Sequence, residues 1–192
     1  MEPVKVDPHE DLDERTLVEL ARADPEAFAQ LYRRYFARVY AFAYRRTSVP
    51  EIAEDITSAT FERAFRSLDT FTWRASGFGP WLFRITSNEL VDHYRRASRA
   101  TSDRALRAAE ALHGAGPPDP ADAVLGRDAA ADVLAAMDQL SPRYQRALSL
   151  RYLSGLTADE AAAAMGTSKA TMAVVVYRAT RALRRAVKAA PE

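Results

Sequence analysis

The sequence predicts an all-α protein, two small helical domains joined by a flexible linker. Apolar residues recur at spacings of three and four through almost every segment, as in Phe28, Leu31, Tyr32, Tyr35, Phe36, Val39 and Phe42. Residues 100–127 break that period. They are rich in alanine, carry Gly114, Gly116, Pro117, Pro118 and Pro120, and hold too few large apolar groups to offset the entropy of ordering. Beyond them the helical period resumes at Val133, Leu134 and Met137. A length of 192 residues with 48% hydrophobic side chains suits one or two small packed cores.

The composition excludes several classes of function. With no cysteine there is no disulfide frame, no thiolate nucleophile and no cysteine-ligated zinc. The start is acidic and no apolar run approaches the length of a membrane span, so a cytoplasmic protein without membrane insertion is expected. His9, His93 and His113 are scattered, without acid partners at metal spacing, and no glycine-rich phosphate loop occurs. Neither catalysis nor a cofactor is expected. The net charge of +1 hides segregation: residues 1–30 hold nine acids, whereas Arg95, Arg96, Arg99, Arg104 and Arg107 face only Asp103. A second basic cluster, Arg178, Arg181, Arg184, Arg185 and Lys188, contains no acid. Two such clusters fit a polyanion, although each alone also fits a solvated helix C-terminus.

In chain order, residues 1–10 read as a disordered tail and Asp13 as the cap of a short helix through Arg22. Asp24-Pro25-Glu26 supplies a cap, a first-turn proline and an acid at the positive end of a helix reaching about Arg46. Ser48-Val49-Pro50-Glu51 has the spacing of a capping box and opens the next helix. A loop from about Asp69 to Gly79 holds Phe71, Trp73 and Phe78. Gly79-Pro80 then starts the helix that dominates the first domain, residues 11–99. One face of it, Phe83, Ser87, Leu90, Val91 and Tyr94, is a core stripe. The opposite face collects Trp81, Ile85, Asn88, Asp92, Arg95 and Arg99, residue types that stack on bases, bond base edges and neutralise phosphates. The bland alternative is an amphipathic helix rich in aromatics.

The linker, of which about 103–112 could form a transient helix, leads to a second domain at 128–188. Ser141-Pro142 opens a helix that stops at Gly155. Thr157-Ala-Asp-Glu160 is a capping box, and Thr167-Ser168 caps a last helix from Lys169. Ala162, Gly166 and Met172 have the spacing of a helix-turn-helix over 157–187: a small residue at the crossing, a glycine for the turn, an apolar residue for the core. Met172, Val176, Ala179 and Leu183 are the expected core side of the last helix.

These segments resemble the extracytoplasmic-function group of the sigma-70 family, bacterial RNA polymerase sigma factors. The residues carrying the likeness are Asp24-Pro-Glu-Ala-Phe-Ala-Gln-Leu-Tyr, Ala53-Glu-Asp-Ile-Thr-Ser-Ala-Thr-Phe-Glu-Arg-Ala-Phe, Pro80 to Arg96, and Leu140 to Tyr152 with the helix-turn-helix. The resemblance implies a region 2 domain that binds the polymerase clamp and a region 4 domain that touches its flap. It places Asp55, Ser58, Glu62 and Arg63 at the clamp. It places Ala75, Ser76, Phe78, Trp81, Asn88, Arg95, Arg96 and Arg99 on the melted −10 element of promoter DNA. The −35 duplex would meet Ser168, Lys169, Thr171, Ala173, Val174, Tyr177, Arg178 and Arg181. An anti-sigma factor is the usual regulatory partner. Asp92 is read as orienting an arginine. The chain departs from the family pattern at Ala173-Val174-Val175, which cannot make bidentate base contacts but can touch thymine methyls or form an apolar patch. Two other readings stay open: a helix-turn-helix regulator, which only 141–188 support, and a sigma-like chain whose Ala173–Val175 face binds protein.

Overall fold

The computed structural model describes residue 9, residues 11–111 and residues 129–189, the side chains of 101–111 and of residue 129 excepted. The expected tail, His9 apart, and the Gly/Pro-rich part of the linker, with His113, lie outside the described residues; His9 lies 2.9 Å from the Asp24 carboxylate. The architecture is all-α. In the part that resembles region 2, α1 (Glu14–Leu20), α2 (Pro25–Thr47), α3 (Pro50–Ser67) and α4 (Gly79–Ala111) pack around one core, with a 3-10 turn at Leu68–Thr70. In the part that resembles region 4, α5 (Ala129–Asp138), α6 (Pro142–Leu148), α7 (Ala158–Ala164) and α8 (Lys169–Ala189) follow, with a π turn at Ser149–Leu153.

The caps largely follow local chemistry. Asp13 accepts from the Thr16 hydroxyl and from the backbone N–H groups of Thr16 and Arg15, which together hold its carboxyl below the ordinary range, and Asp24 accepts from the Glu26 N–H. Thr157 and Glu160 form the reciprocal capping box at α7. Ser48 does not cap α3. It takes a left-handed conformation, φ 55°, and its N–H closes α2 on the Tyr44 carbonyl. Two residues separate α2 from α3, so the residue that ends one helix is spent before the next begins, and Val49 precedes Pro50 without a side-chain bond. The long helix also passes Arg99, continuing to Ala111 through the first twelve residues of the stretch expected as linker. Alanine and arginine are good helix formers, and the glycines and prolines come only afterwards.

Phe42, Phe83, Leu17, Leu31, Leu82 and Val39 are fully buried, with the Phe42 and Phe83 ring centroids 5.5 Å apart. Ala147, Leu150, Leu156, Ala161, Ala162, Ala164, Met172 and Val175 of region 4 join the same apolar cluster. A smaller cluster of Met137, Leu148 and Ala179 belongs to region 4 alone. The two regions therefore meet, α7 and α6 lying against α4. The alanines of α7 let its backbone approach α4 closely.

Candidate nucleic-acid and polymerase interface

The loop before α4 is fixed from an unexpected direction. The Glu14 carboxylate accepts from the Phe78 N–H at 3.1 Å and from the Tyr35 hydroxyl. Burial and that carboxylate push the Tyr35 hydroxyl far above its ordinary pKa, so it stays a donor. Gly77 has φ 74°, and a Cβ there would stand 2.8 Å from a Glu14 oxygen; a Cβ on Gly79 would stand 3.2 Å from the Tyr35 hydroxyl. Glycines on both sides of Phe78 were the only hint in the sequence that something approaches this loop.

Phe78 is 0% exposed and packs edge-on against Tyr35 and Phe71. Its expected place on DNA is therefore corrected: the ring belongs to the core, and the loop presents Ala75 and, partly, Ser76. Trp81 is half-buried against Phe71 and Phe78, at centroid distances of 5.1 and 5.3 Å. It also borders a cavity of about 660 Å³ shared with Arg74, Arg84, Gly166 and Ser168. Further along α4, Asn88 is half-buried and its Oδ1 accepts from Arg146 of region 4 at 2.8 Å. Asp92 pairs with Arg95 at 3.2 Å, the arginine-orienting role expected of it. Arg95, Arg96 and Arg99 are exposed.

On α3, Asp55, Ser58, Glu62 and Arg63 share an exposed face. Arg63 pairs at 2.9 Å with Glu89, whose side chain is 8% exposed, and so ties α3 to α4; Glu62 pairs with Arg66. Asp55 and Ser58 are the least committed of the four. His93, on α4, is held below its ordinary pKa by burial and by Arg96, against the opposing charges of Asp138 and Asp55.

In region 4 the glycine turn forms as expected: Gly166 has φ 65° and Ser168 accepts from the Thr171 N–H. Ser168, Lys169, Thr171, Ala173, Val174, Tyr177, Arg178 and Arg181 are all exposed, Val174 by 50% and Tyr177 by 63%. Val175 turns inward beside Met172, so the apolar patch is Ala173, Val174 and Tyr177 rather than Ala173–Val175. Val176 is half-buried. Arg45, Val133, Leu134, Met137, Leu148, Tyr152, Leu153 and Leu183 line a mostly apolar groove of about 420 Å³.

The seam between the regions is polar where it is not alanine. Arg46, 1% exposed, ion-pairs with Asp138 and lies over the Tyr94 ring at 4.0 Å. Arg45 donates to the Leu153 carbonyl at 3.1 Å. Burial pushes the Asp138 carboxyl upward despite Arg46. Arg46, Asp138 and Arg146 had no local motif to single them out, because their partners lie far away in the chain.

Comparison with known proteins matches residues 31–100 to Sigma-70 region 2 and residues 130–183 to Sigma-70, region 4. The chain belongs to the sigma-70 family. Several relatives it is similar to are extracytoplasmic-function (ECF) sigma factors. It is 37% identical to the ECF RNA polymerase sigma factor BldN of Streptomyces coelicolor over 88% of this chain and 64% of that one. It is 34% identical to the ECF RNA polymerase sigma factor SigE of Mycolicibacterium smegmatis over 81% and 59%. The chain thus spans less than two thirds of the length of either relative. A sigma factor RpoE solved with the anti-sigma factor NepR from Bartonella quintana is 27% identical, with TM-score 0.52 over 85% of this chain and 98% of that one. CnrH, solved with the cytosolic domain of CnrY, shares the fold at TM-score 0.58 and 23% identity, over 93% and 99%. Among the described residues no helix is long and apolar enough to cross a membrane.

Proposed function

We propose that this protein is a sigma factor that joins core RNA polymerase and directs it to promoters, with residues 11–99 and 128–188 as its two working domains. The observation that carries this reading is the ordered match of both regions to sigma-70 models in one chain. The exposed α3 stripe around Asp55 and Ser58 suits the polymerase clamp, and the apolar groove beside Tyr152 suits a helix of the flap.

Promoter melting then falls to α4 and its preceding loop. Unstacking a base costs a few kcal/mol. Stacking on an aromatic surface returns roughly 1–3 kcal/mol per base. Ala75, Ser76 and the exposed edge of Trp81 would hold an extruded base, Asn88 would bond base edges, and Arg95, Arg96 and Arg99 would neutralise phosphates. Phosphate contacts fix register without reading sequence. Region 4 would lie on the −35 duplex through Ser168, Lys169, Thr171, Arg178 and Arg181, with Ala173 and Val174 on thymine methyls. With no bidentate base reader in Ala173 and Val174, promoter choice leans on the −10 element. An anti-sigma factor is the proposed regulatory partner, supported by the complex formed by RpoE.

The test is run-off transcription from a genomic promoter pool with purified core polymerase and this protein. Promoter-specific transcripts that disappear when the protein is omitted are expected. Binding to duplex DNA without any initiation would replace this reading with that of a helix-turn-helix regulator.

A further inference from the structure

We infer that two adjoining cavities between α4 and the turn before α8 form a binding site for a small phosphate polyanion, with room for a nucleoside at one end. The larger cavity, about 660 Å³, carries Arg74, Ser76 and Trp81 on one wall. The smaller, about 330 Å³, is lined by Ser87, Asn88, Arg143 and Arg146. Both include Arg84, Gly166 and Thr167, so they meet at one guanidinium and one turn. Each volume lies in the range of small-ligand sites, roughly 300–1,000 Å³.

Charge selects the ligand. Four arginines, from the loop before α4, from α4 and from α6, border the cavities, and among the described residues no carboxylate lines either. The turn adds the same sign. Gly166, at φ 65°, brings the N-terminus of the 21-residue α8 up to Arg84, whose Nη1 would stand 3.5 Å from a Cβ on that glycine. The positive end of a helix beside a guanidinium is unfavourable until an anion shares the space. Donors are also left over. Arg146 gives Nη1 to Asn88 at 2.8 Å, and its Nε is buried without a partner, which is costly until an acceptor reaches it. Phosphate oxygens fit the planar fork of a guanidinium in pairs, and a chain of phosphates meets several forks at once. Trp81, half-buried and 5.1 Å from Phe71, borders the larger cavity and offers a base a ring to stack on. The phosphates therefore run along Arg84, Arg143 and Arg146, and a nucleoside, where there is one, rests at Trp81. On the −10 reading of α4, such a ligand takes Trp81 and Asn88 from the melted strand; the site itself does not depend on that reading.

The experiment titrates the full chain, without polymerase or magnesium, with ATP, GTP, inorganic triphosphate and guanosine by calorimetry at about 0.15 M salt. One site for each phosphate compound and none for guanosine is expected. Arg84→Gln and Arg143→Gln should each weaken binding about tenfold, the loss of one charge-assisted contact. Both residues are exposed, and unchanged helical circular dichroism shows the variants folded. Nucleotides binding about tenfold more tightly than triphosphate, an advantage lost in Trp81→Leu, assign the site to nucleoside polyphosphates. Equal binding of the three keeps the site and assigns it to inorganic polyphosphate. Arg185→Gln removes an exposed α8 arginine outside both cavities and should change nothing. A loss there equal to that of Arg84→Gln means diffuse attraction to a basic surface and overturns the site. Binding of a single-stranded DNA 20-mer with none of the phosphate compounds gives these arginines to DNA and overturns it as well.

Discussion

In region 2 the fully buried side chains are large, among them Phe42, Phe78, Phe83, Leu31 and Leu82, whereas the region 4 helix that meets α4 buries Ala161, Ala162 and Ala164. Region 2 fills its own interior from four helices. Region 4 keeps a small private cluster around Met137, Leu148 and Ala179 and completes the rest against its neighbour. The difference sets a platform that packs its own interior against a part that completes its core on a neighbour. Large side chains make an interface costly to separate, while small ones permit close approach with little area at stake.

The largest effect should follow truncation in the platform. Phe42→Ala removes a ring enclosed by Phe83 and should cost about 3–5 kcal/mol, read as a lower denaturant midpoint. A loss below about 1 kcal/mol would mean that region 2 is not the self-sufficient half, since buried aromatics rarely give way so cheaply. Overpacking the seam is the complementary test. Ala164→Leu places a larger side chain where α7 borders Ser87 and Asn88 of α4, and should cost roughly 1–3 kcal/mol. Its signature is separation of the regions: thermal unfolding should split into two steps, with the region 2 step kept. A single step at the parental temperature would show the alanines to be incidental.

These two positions also show how far the sequence could be read. Phe42 and Phe83 were legible because helical spacing places core residues whatever lies opposite them. Ala161–Ala164 offer little apolar bulk, and the sequence does not say that another helix will come close. The same limit applied to the face of Trp81, Ile85 and Asn88. Its residue types pointed to nucleic acid, and the structure adds Arg146, 58 positions away from Asn88, as a competing partner. Local rules failed at Ser48, where the end of one helix and the start of another compete for one residue, and at the linker, where good helix formers carry α4 past Arg99.

A smaller effect tests the platform's loop. Gly77→Ala puts a Cβ at positive φ against the Glu14 carboxylate, and should cost about 1–2 kcal/mol from the backbone alone. The sharper readout is the −10 preference of the holoenzyme. If Glu14 fixes the loop that presents Ala75 and Ser76, discrimination among −10 variants should fall more than clamp affinity. Equal losses of both would make Glu14 a general stabiliser of region 2.

The smallest effect should come from pH at the seam. His93 is surrounded by Arg96, Asp138, Asp55, Arg46 and the Tyr94 ring, and burial with Arg96 lowers its pKa from 6.5. The folded protein therefore binds fewer protons than the unfolded chain between that lowered value and 6.5, so stability rises with pH across this window. The contribution is complete above about 6.5, where both states are neutral, and declines as pH falls through the window. Asp138 is pushed upward from 3.8 by burial, so the stability it adds when protonated is lost as pH rises from 3.8 through its raised value. Subtracting the melting profile of His93→Gln from that of the parent isolates the histidine. A difference that shrinks between pH 7 and pH 5 is expected; a difference that grows there would mean that the charged imidazole is the form Asp138 and Asp55 hold.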